Sequence, residues 1–331
     1  IDINNFIRSL NLIIHRGPDS QAIASLVDDK FHVQSLQSAS SITPSNLLLG
    51  HARLSILDTS SLGTQPFISK DGRYAIVFNG EIYNYKELRH ELGKLGAKFT
   101  TNTDTEVLLT CFAYFGASCV DLFNGVWSFG IVDNHTNSLF VSRDRLGVKP
   151  LFVFKSNDSI SLASEIKALK PLNYSSFSPN ADSVSDYLNF GLVDHSDETF
   201  FNEISSFPPA TIAQYDLNSL KQVSCRKYWN PSDFVDLHQS IVGTPTLNSV
   251  SEQFNSLFID SIKLRLRSDV PLGASLSGGI DSSAIVCAIN QYFSKSFSGL
   301  TTFTSIPRES SISEENWASL VSNHIRSDHK T

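Results

Sequence analysis

The chain has 331 residues, 41% of them hydrophobic, and a formal net charge of −7. That length supplies two ordinary domains with real cores, and the acidic balance argues against a nucleic-acid or membrane-surface partner. No apolar run approaches the roughly 18 residues of a transmembrane helix, and no signal-peptide pattern opens the chain.

In chain order, Phe6, Leu10, Ile13 and Ile14 open with helical spacing. The first residue is Ile1, methionine is absent throughout, and Thr331 closes a polar stretch, so both ends read as cut. The first 170 residues read as a β-rich sandwich with helices. Strands are expected at 47–56, 74–79, 126–132, 139–142 and 151–154, with turn signals at 133–137 and 156–158. Tyr85, Leu88, Leu92 and Leu95 form one helical stripe closed by Gly96; Val107, Leu108, Cys111, Phe112 and Phe115 form another closed by Gly116. Residues 173–229 are less regular, with a strand expected at 211–215, and 230–248 reads as a linker. Val250, Phe254, Leu257, Phe258 and Ile262 then mark a helix. Strand (271–276), helix (281–293), strand (300–304) and helix (314–325) follow, the order of a parallel α/β sheet. Cys111, Cys119, Cys225 and Cys287 show neither C-x-x-C nor metal spacing. They read as free thiols in a reducing cytoplasm.

Ser277-Gly278-Gly279-Ile280-Asp281-Ser282-Ser283 joins a short strand to a helix. Unpaired N–H groups and the positive end of the helix dipole point at whatever sits in such a turn. The glycines permit close backbone approach and the serines add donors. Asp281 repels phosphate unless a metal lies between them, which suggests a Mg²⁺–pyrophosphate site. The bland alternative is a serine-rich turn with no ligand. The G-x-x-x-x-G-K-[ST] spacing is missing; the loop resembles the SGGxDS signature of the ATP pyrophosphatases.

Asn79-Gly80 is placed at the end of a strand, where an amide and the next N–H can aim two donors at one oxyanion. A type I′ hairpin turn is the competing reading. Glu81 follows directly and could be surface decoration. Arg53 is either a salt-bridged rim residue or a fork for a carboxylate. Asp104 is either a helix N-cap or a carboxylate for a substrate ammonium.

Together these segments resemble the glutamine-hydrolysing asparagine synthetases. The likeness runs through residues 15–19, 50–58, 78–85, 103–107, 122–125, 142–151, 163–167 and 265–273 to the 277–283 loop. It implies two domains, α/β and α+β. An N-terminal-nucleophile glutaminase, an α-β-β-α sandwich over 1–229 lacking its first strand, precedes the linker. The start of a parallel-sheet ATP-pyrophosphatase domain covers 249–331. By resemblance, Arg53 holds the glutamine α-carboxylate, Glu81 and Asp104 lie at its α-amino end, and Asn79 and Gly80 form the oxyanion hole. Ser277, Gly278, Gly279, Asp281, Ser282 and Ser283 hold the ATP phosphates, with Asp281 toward Mg²⁺. Leu276 and Ser305 flank the adenosine. His15, the 143–145 segment and the 164–165 pair are read as structural.

The implied reaction releases ammonia from glutamine by thiolate attack and passes it to β-aspartyl-AMP made from aspartate and ATP. Glutamine, aspartate and ATP are the implied partners, the cytoplasm the implied compartment, and a homodimer an open option. The family's nucleophile is a cysteine at the start of the mature chain, which these residues do not supply; an upstream segment beginning Met-Cys is expected. Family residues for the aspartate and adenylate chemistry are expected beyond Thr331. Two alternatives stay open: a relative that amidates another carboxylate such as a sugar acid, and a non-catalytic remnant.

Overall fold

The computed structural model describes residues 2–37, 42–172, 177–234, 246–294, 300–307 and 313–331. The chain divides into two compact units, Ile1–Gln239 and Ser240–Thr331. Most of the linker expected at 230–248 lies outside the described residues.

Unit 1 opens with α1 (Ile3–Asn11), β1 (Ser20–Val27), β2 (Lys30–Ser35), β3 (Leu48–Arg53), β4 (Phe67–Ile68) and β5 (Tyr74–Ile82). Helices α2 (Tyr85–Lys94) and α3 (Asp104–Phe115) follow, then β6 (Gly125–Asp133), β7 (Ser138–Arg143), β8 (Phe152–Lys155) and β9 (Ile160–Ala163). It continues through α4 (Ile166–Leu169), α5 (Ala181–Phe190), β10 (Ile204–Ser206), β11 (Thr211–Asp216) and β12 (Gln222–Lys227). A six-stranded antiparallel sheet runs β12-β11-β7-β6-β5-β4; two three-stranded antiparallel sheets run β2-β1-β3 and β10-β8-β9.

Side-chain alternation builds the layers. Along β5, Tyr74, Ile76 and Phe78 pack with Leu92 of α2 and Val107, Leu108 and Phe112 of α3. Ala75 and Val77 point the other way, into a second slab with Ala24, Leu49, Val153 and Leu162 of the smaller sheets. The outer faces of those sheets are covered by α1, through Phe6 and Leu10 against Ile23 and Leu48, and by α4, through Leu169 against Phe154 and Ile204. The order is helix, sheet, sheet, helix, the expected α-β-β-α sandwich. Trp127, Phe129 and Ile131 of β6 are at most 2% exposed, each contributing roughly 1.5–3 kcal/mol through burial.

Unit 2 contains α6 (Leu247–Arg265), β13 (Gly273–Ser275), α7 (Ile280–Phe293), β14 (Thr301–Phe303), α8 (Glu315–Ile325) and β15 (Asp328–Lys330). Its strands run parallel in the order β13-β14-β15, as the alternating pattern implied. β15 was not expected: three polar residues carry no alternation.

Two sequence expectations need correction. Asn79-Gly80 is neither a hairpin turn nor a strand end. Both residues sit inside β5, opposite Ser128 and Trp127 of β6, because nine-residue pairing with a buried strand overrides the turn preference of the dipeptide. The strand expected at 47–56 ends at Arg53, where the chain leaves the sheet.

Candidate functional site

A cavity of about 1580 Å³ lies in unit 1. Its lining includes Arg53, Asn79, Gly80, Glu81 and Asp104, the five residues that sequence reasoning placed at one site. It also includes one edge strand of each smaller sheet, β3 and β9. Each pairs on one side only among the described residues, so two open edges border the same space.

Arg53 closes β3 and is buried. Its Nη1 donates to Ser60 O at 2.8 Å, and its Nη2 donates to Leu57 O at 3.2 Å and to Asp58 O. These bonds hold the guanidinium plane and leave the Nε–H and one Nη1–H without a partner among the described residues. Burial lowers its pKa, opposed by Asp58, Asp19 and Asp104. The fit is tight: a Cβ on Gly63 would come 2.2 Å from Nη2.

Asn79 shares the inner face of β5 with Ala75 and Val77. Its Nδ2 is buried with no hydrogen-bond partner among the described residues. Such an orphaned donor costs about 1–3 kcal/mol, a price accepted where a ligand satisfies it. A Cβ on Gly80 would lie 2.2 Å from Val126 O, so only glycine lets β5 and β6 close here.

Asp104 is not the N-cap. Thr103 is, its Oγ1 accepting from Glu106 N at 3.2 Å. Glu106 in turn accepts from the N–H groups of Thr100 and Thr101, which fixes the start of α3. Asp104 is thereby free to accept the Ile82 N–H at 2.9 Å. Burial pushes its carboxyl up to about 7; the Ile82 bond opposes this and Glu81 adds to it. Glu81 is likewise raised by burial, with Lys149 pulling it back. Two desolvated carboxylates side by side favour an incoming cation.

His51 and Lys149 also line the cavity but were not singled out from sequence. His51 lies two residues before Arg53, hence on the same strand face. Its Nε2 donates to Phe78 O at 3.0 Å, which leaves Nδ1 buried and unpartnered. Burial pushes its pKa down to about 4; the Phe78 bond opposes and Arg53 reinforces. The ring is therefore neutral and braces the peptide entering Asn79. No cysteine among the described residues lines the cavity. Cys111 and Cys119 are buried, and burial pushes their thiols up, that of Cys111 to about 12.

In unit 2, the 277–283 loop follows β13. Leu276 is buried; its N–H donates to Phe303 O at 2.8 Å and its carbonyl accepts from Thr304 Oγ1. That pair ties the end of β14 to the start of the loop; Ser305, two residues past β14, is exposed. Ser277 Oγ accepts from Gly279 N at 3.3 Å and meets Ser282 Oγ at 3.1 Å. Gly278 has φ +80°, and a Cβ there would come 2.5 Å from Trp317 Cβ, so the turn requires glycine. Gly279 caps α7 with no side-chain bond, leaving first-turn N–H groups for an anion. Ser283 Oγ is buried without a partner among the described residues, and Asp281 is exposed in the first turn. No group of three or more His, Cys, Asp or Glu stands together as a metal cluster among the described residues. A lone carboxylate would still fit a Mg²⁺ that phosphates also ligate, because Mg²⁺ takes few protein ligands in such sites.

Residues 2–229 match the glutamine amidotransferase domain family, and residues 253–331 match the asparagine synthase family. Asparagine synthetase (glutamine-hydrolysing) 3 of Bacillus subtilis is 35% identical over 76% of this chain and 39% of its own length. Asparagine synthetase (glutamine-hydrolysing) 1 of the same organism is 32% identical over 88% of this chain and 42% of its own. The chain thus spans less than two thirds of the length of such relatives. Among solved structures, glutamine phosphoribosylpyrophosphate amidotransferase from B. subtilis superposes with a TM-score of 0.53 at 14% identity, over 99% of this chain and 87% of that one, a likeness of fold. No described helix is long and apolar enough to cross a membrane.

Proposed function

From the premise that this chain belongs to the glutamine amidotransferase domain family, we propose that it is part of a glutamine-dependent asparagine synthetase. Residues 1–229 form its glutaminase, 230–248 a linker, and 249–331 the start of its ATP-pyrophosphatase domain. The carrying observation is the unit 1 cavity, where the Asn79 orphan donor, the Arg53 fork and the Glu81–Asp104 pair meet. Together they complement an amino-acid zwitterion with a carboxamide tail.

Glutamine lies with its α-ammonium between Glu81 and Asp104 and its α-carboxylate on the remaining Arg53 donors. The amide oxygen faces Asn79 Nδ2 and the Gly80 N–H, which hold the oxyanion when a thiolate attacks. A strand from outside residues 1–331, with a cysteine at its start, fills the space between the open edges of β3 and β9. Two unpaired edges bordering one cavity support this, since one added strand would satisfy both.

In the second half, aspartate attacks the α-phosphate of ATP, pyrophosphate leaves, and ammonia then displaces AMP to give asparagine. Ser277 to Ser283 cradle the phosphates through hydroxyls and first-turn N–H groups. Leu276 and Ser305 flank the adenosine. Asp281 would hold Mg²⁺, which neutralises charge on the phosphates when bound. The names of the relatives support aspartate as acceptor, and the undisulfided thiols support a cytoplasmic setting.

Exchange of labelled pyrophosphate into ATP, by a protein that includes both units and the rest of its synthetase domain, tests the acceptor. Exchange is expected with aspartate. Exchange only with another acid, such as a uronic acid, would replace aspartate in this scheme.

A further inference from the structure

The Arg143-Asp144-Arg145 segment has no role in the chemistry above, yet the loop after β7 is heavily bonded. Asp144 is 1% exposed. Its carboxylate accepts the N–H groups of Trp127, Leu146, Val148 and Lys149 at 2.9–3.2 Å. Arg143 closes the loop from the other side, donating to Gly147 O and Lys149 O at 2.8 Å, and to Ser206 Oγ and Phe207 O. Packing does not hold the loop, because Leu146 and Val148 are 73% and 57% exposed. Two charged side chains fix instead a backbone that ends at Lys149, which lines the cavity with Glu81 and Asp104. The Lys149 ammonium makes no ion pair or hydrogen bond among the described residues, and the Glu81 carboxylate makes none either.

We propose that Lys149 is a positioning residue of the glutaminase site, placed by the Arg143–Asp144 loop to hold the Glu81 carboxylate ionised for the substrate ammonium. The inference rests on the glutamine reading above and deepens it. An ammonium is bound by carboxylates only in their charged form, and burial disfavours that form. The charged groups around Glu81 are Asp104 from the start of α3, which repels its charge, and Lys149, which supports it; Arg53 from β3 acts on Asp104. Lys149 therefore sets the pH at which the pair becomes competent, without contacting the reacting amide.

Calorimetric titration with L-glutamine at pH 6, 7 and 8.5, on the full-length protein with its nucleophilic cysteine replaced by alanine, tests this. Lys149→Met is expected to weaken binding most at pH 6, by up to about tenfold for a one-unit shift, and progressively less toward pH 8.5. Lys149→Arg is expected to keep the unaltered profile. Equal weakening at every pH, with or without rescue by arginine, assigns Lys149 to packing or to direct substrate contact and overturns the inference. So does an unchanged profile in Lys149→Met. Failure of the protein with Lys149 intact to bind glutamine at any pH overturns the glutamine reading, and this inference with it.

Discussion

The Asp104 carboxylate, at the first residue of α3, accepts the backbone N–H of Ile82 at the end of β5, 2.9 Å away. One buried acid thereby ties a helix start to the strand that carries Asn79 and Gly80. Burial, with Glu81 adding to it, raises its pKa from 3.8 to about 7 against the Ile82 bond. An acid raised on folding binds more protons folded than unfolded between those values. Stability is therefore lost as pH rises from about 4 to about 7. Asp104→Asn keeps an acceptor for Ile82 and removes the titration. Urea unfolding of unit 1 at pH 5 and 8 should show the variant gaining on the parent by up to about 2.7 kcal/mol, the two units between pH 5 and 7. Parallel pH profiles would contradict the assignment.

His51 gives the opposite sign. Its pKa falls from 6.5 to about 4, chiefly through burial, so the folded state binds fewer protons in that window. Stability contributed by the neutral ring is present above about 6.5 and lost as pH falls through about 4. His51→Gln, which can still donate to Phe78 O, should flatten the acid limb of the unfolding profile. An unchanged acid limb would show that the ring is already charged or exposed.

Asn79→Ala removes a buried donor that has no partner in the free protein. Stability should stay within about 1 kcal/mol of the parent, because loss of packing offsets relief of the orphan. L-Glutamine affinity should fall at least about tenfold, the weight of one well-placed donor. A large stability loss with unchanged affinity would mean that the amide serves the fold.

Gly278→Ala places a Cβ 2.5 Å from Trp317 Cβ at a backbone φ of +80°. Both effects disfavour the turn. ATP protection of unit 2 against thermal unfolding should drop by more than about tenfold in apparent affinity, as for one missing loop contact of about 1.4 kcal/mol or more. Glutamine binding in unit 1 serves as the internal control. Unaltered ATP binding would remove the loop from the nucleotide site.

Much of this was legible because it is local. The continuous apolar run from Tyr74 to Phe78 marked β5, and the stripes before Gly96 and Gly116 marked α2 and α3. Hairpin β1–β2 was not recognised: the positions of β1 that face the inter-sheet layer are small, Ala22 and Ala24, and its turn is Asp28-Asp29, both at positive φ, rather than an Asn-Gly signal. That signal, at Asn79-Gly80, instead lies within a strand. The gathering of Arg53, Asn79, Gly80, Glu81 and Asp104 was expected from motif likeness. What the motifs do not encode is pairing at a distance: Arg53 on the carbonyls of Leu57, Asp58 and Ser60, His51 on Phe78 O, and Lys149 beside Glu81. Those depend on the register of β3 against β1 and on a loop held by Asp144, which no local pattern shows.

Recognition of an amino-acid ammonium by Glu81 and Asp104 is what the proposed glutamine site depends on. Calorimetry at pH 8 of the full-length protein, its nucleophilic cysteine replaced by alanine, with L-glutamine and with 4-carbamoylbutanoate, which lacks only the α-amine, measures that directly. L-Glutamine should bind at least about tenfold more tightly, the value of one charge-assisted contact. Equal affinities, or tighter binding of the amine-free analogue, would contradict it.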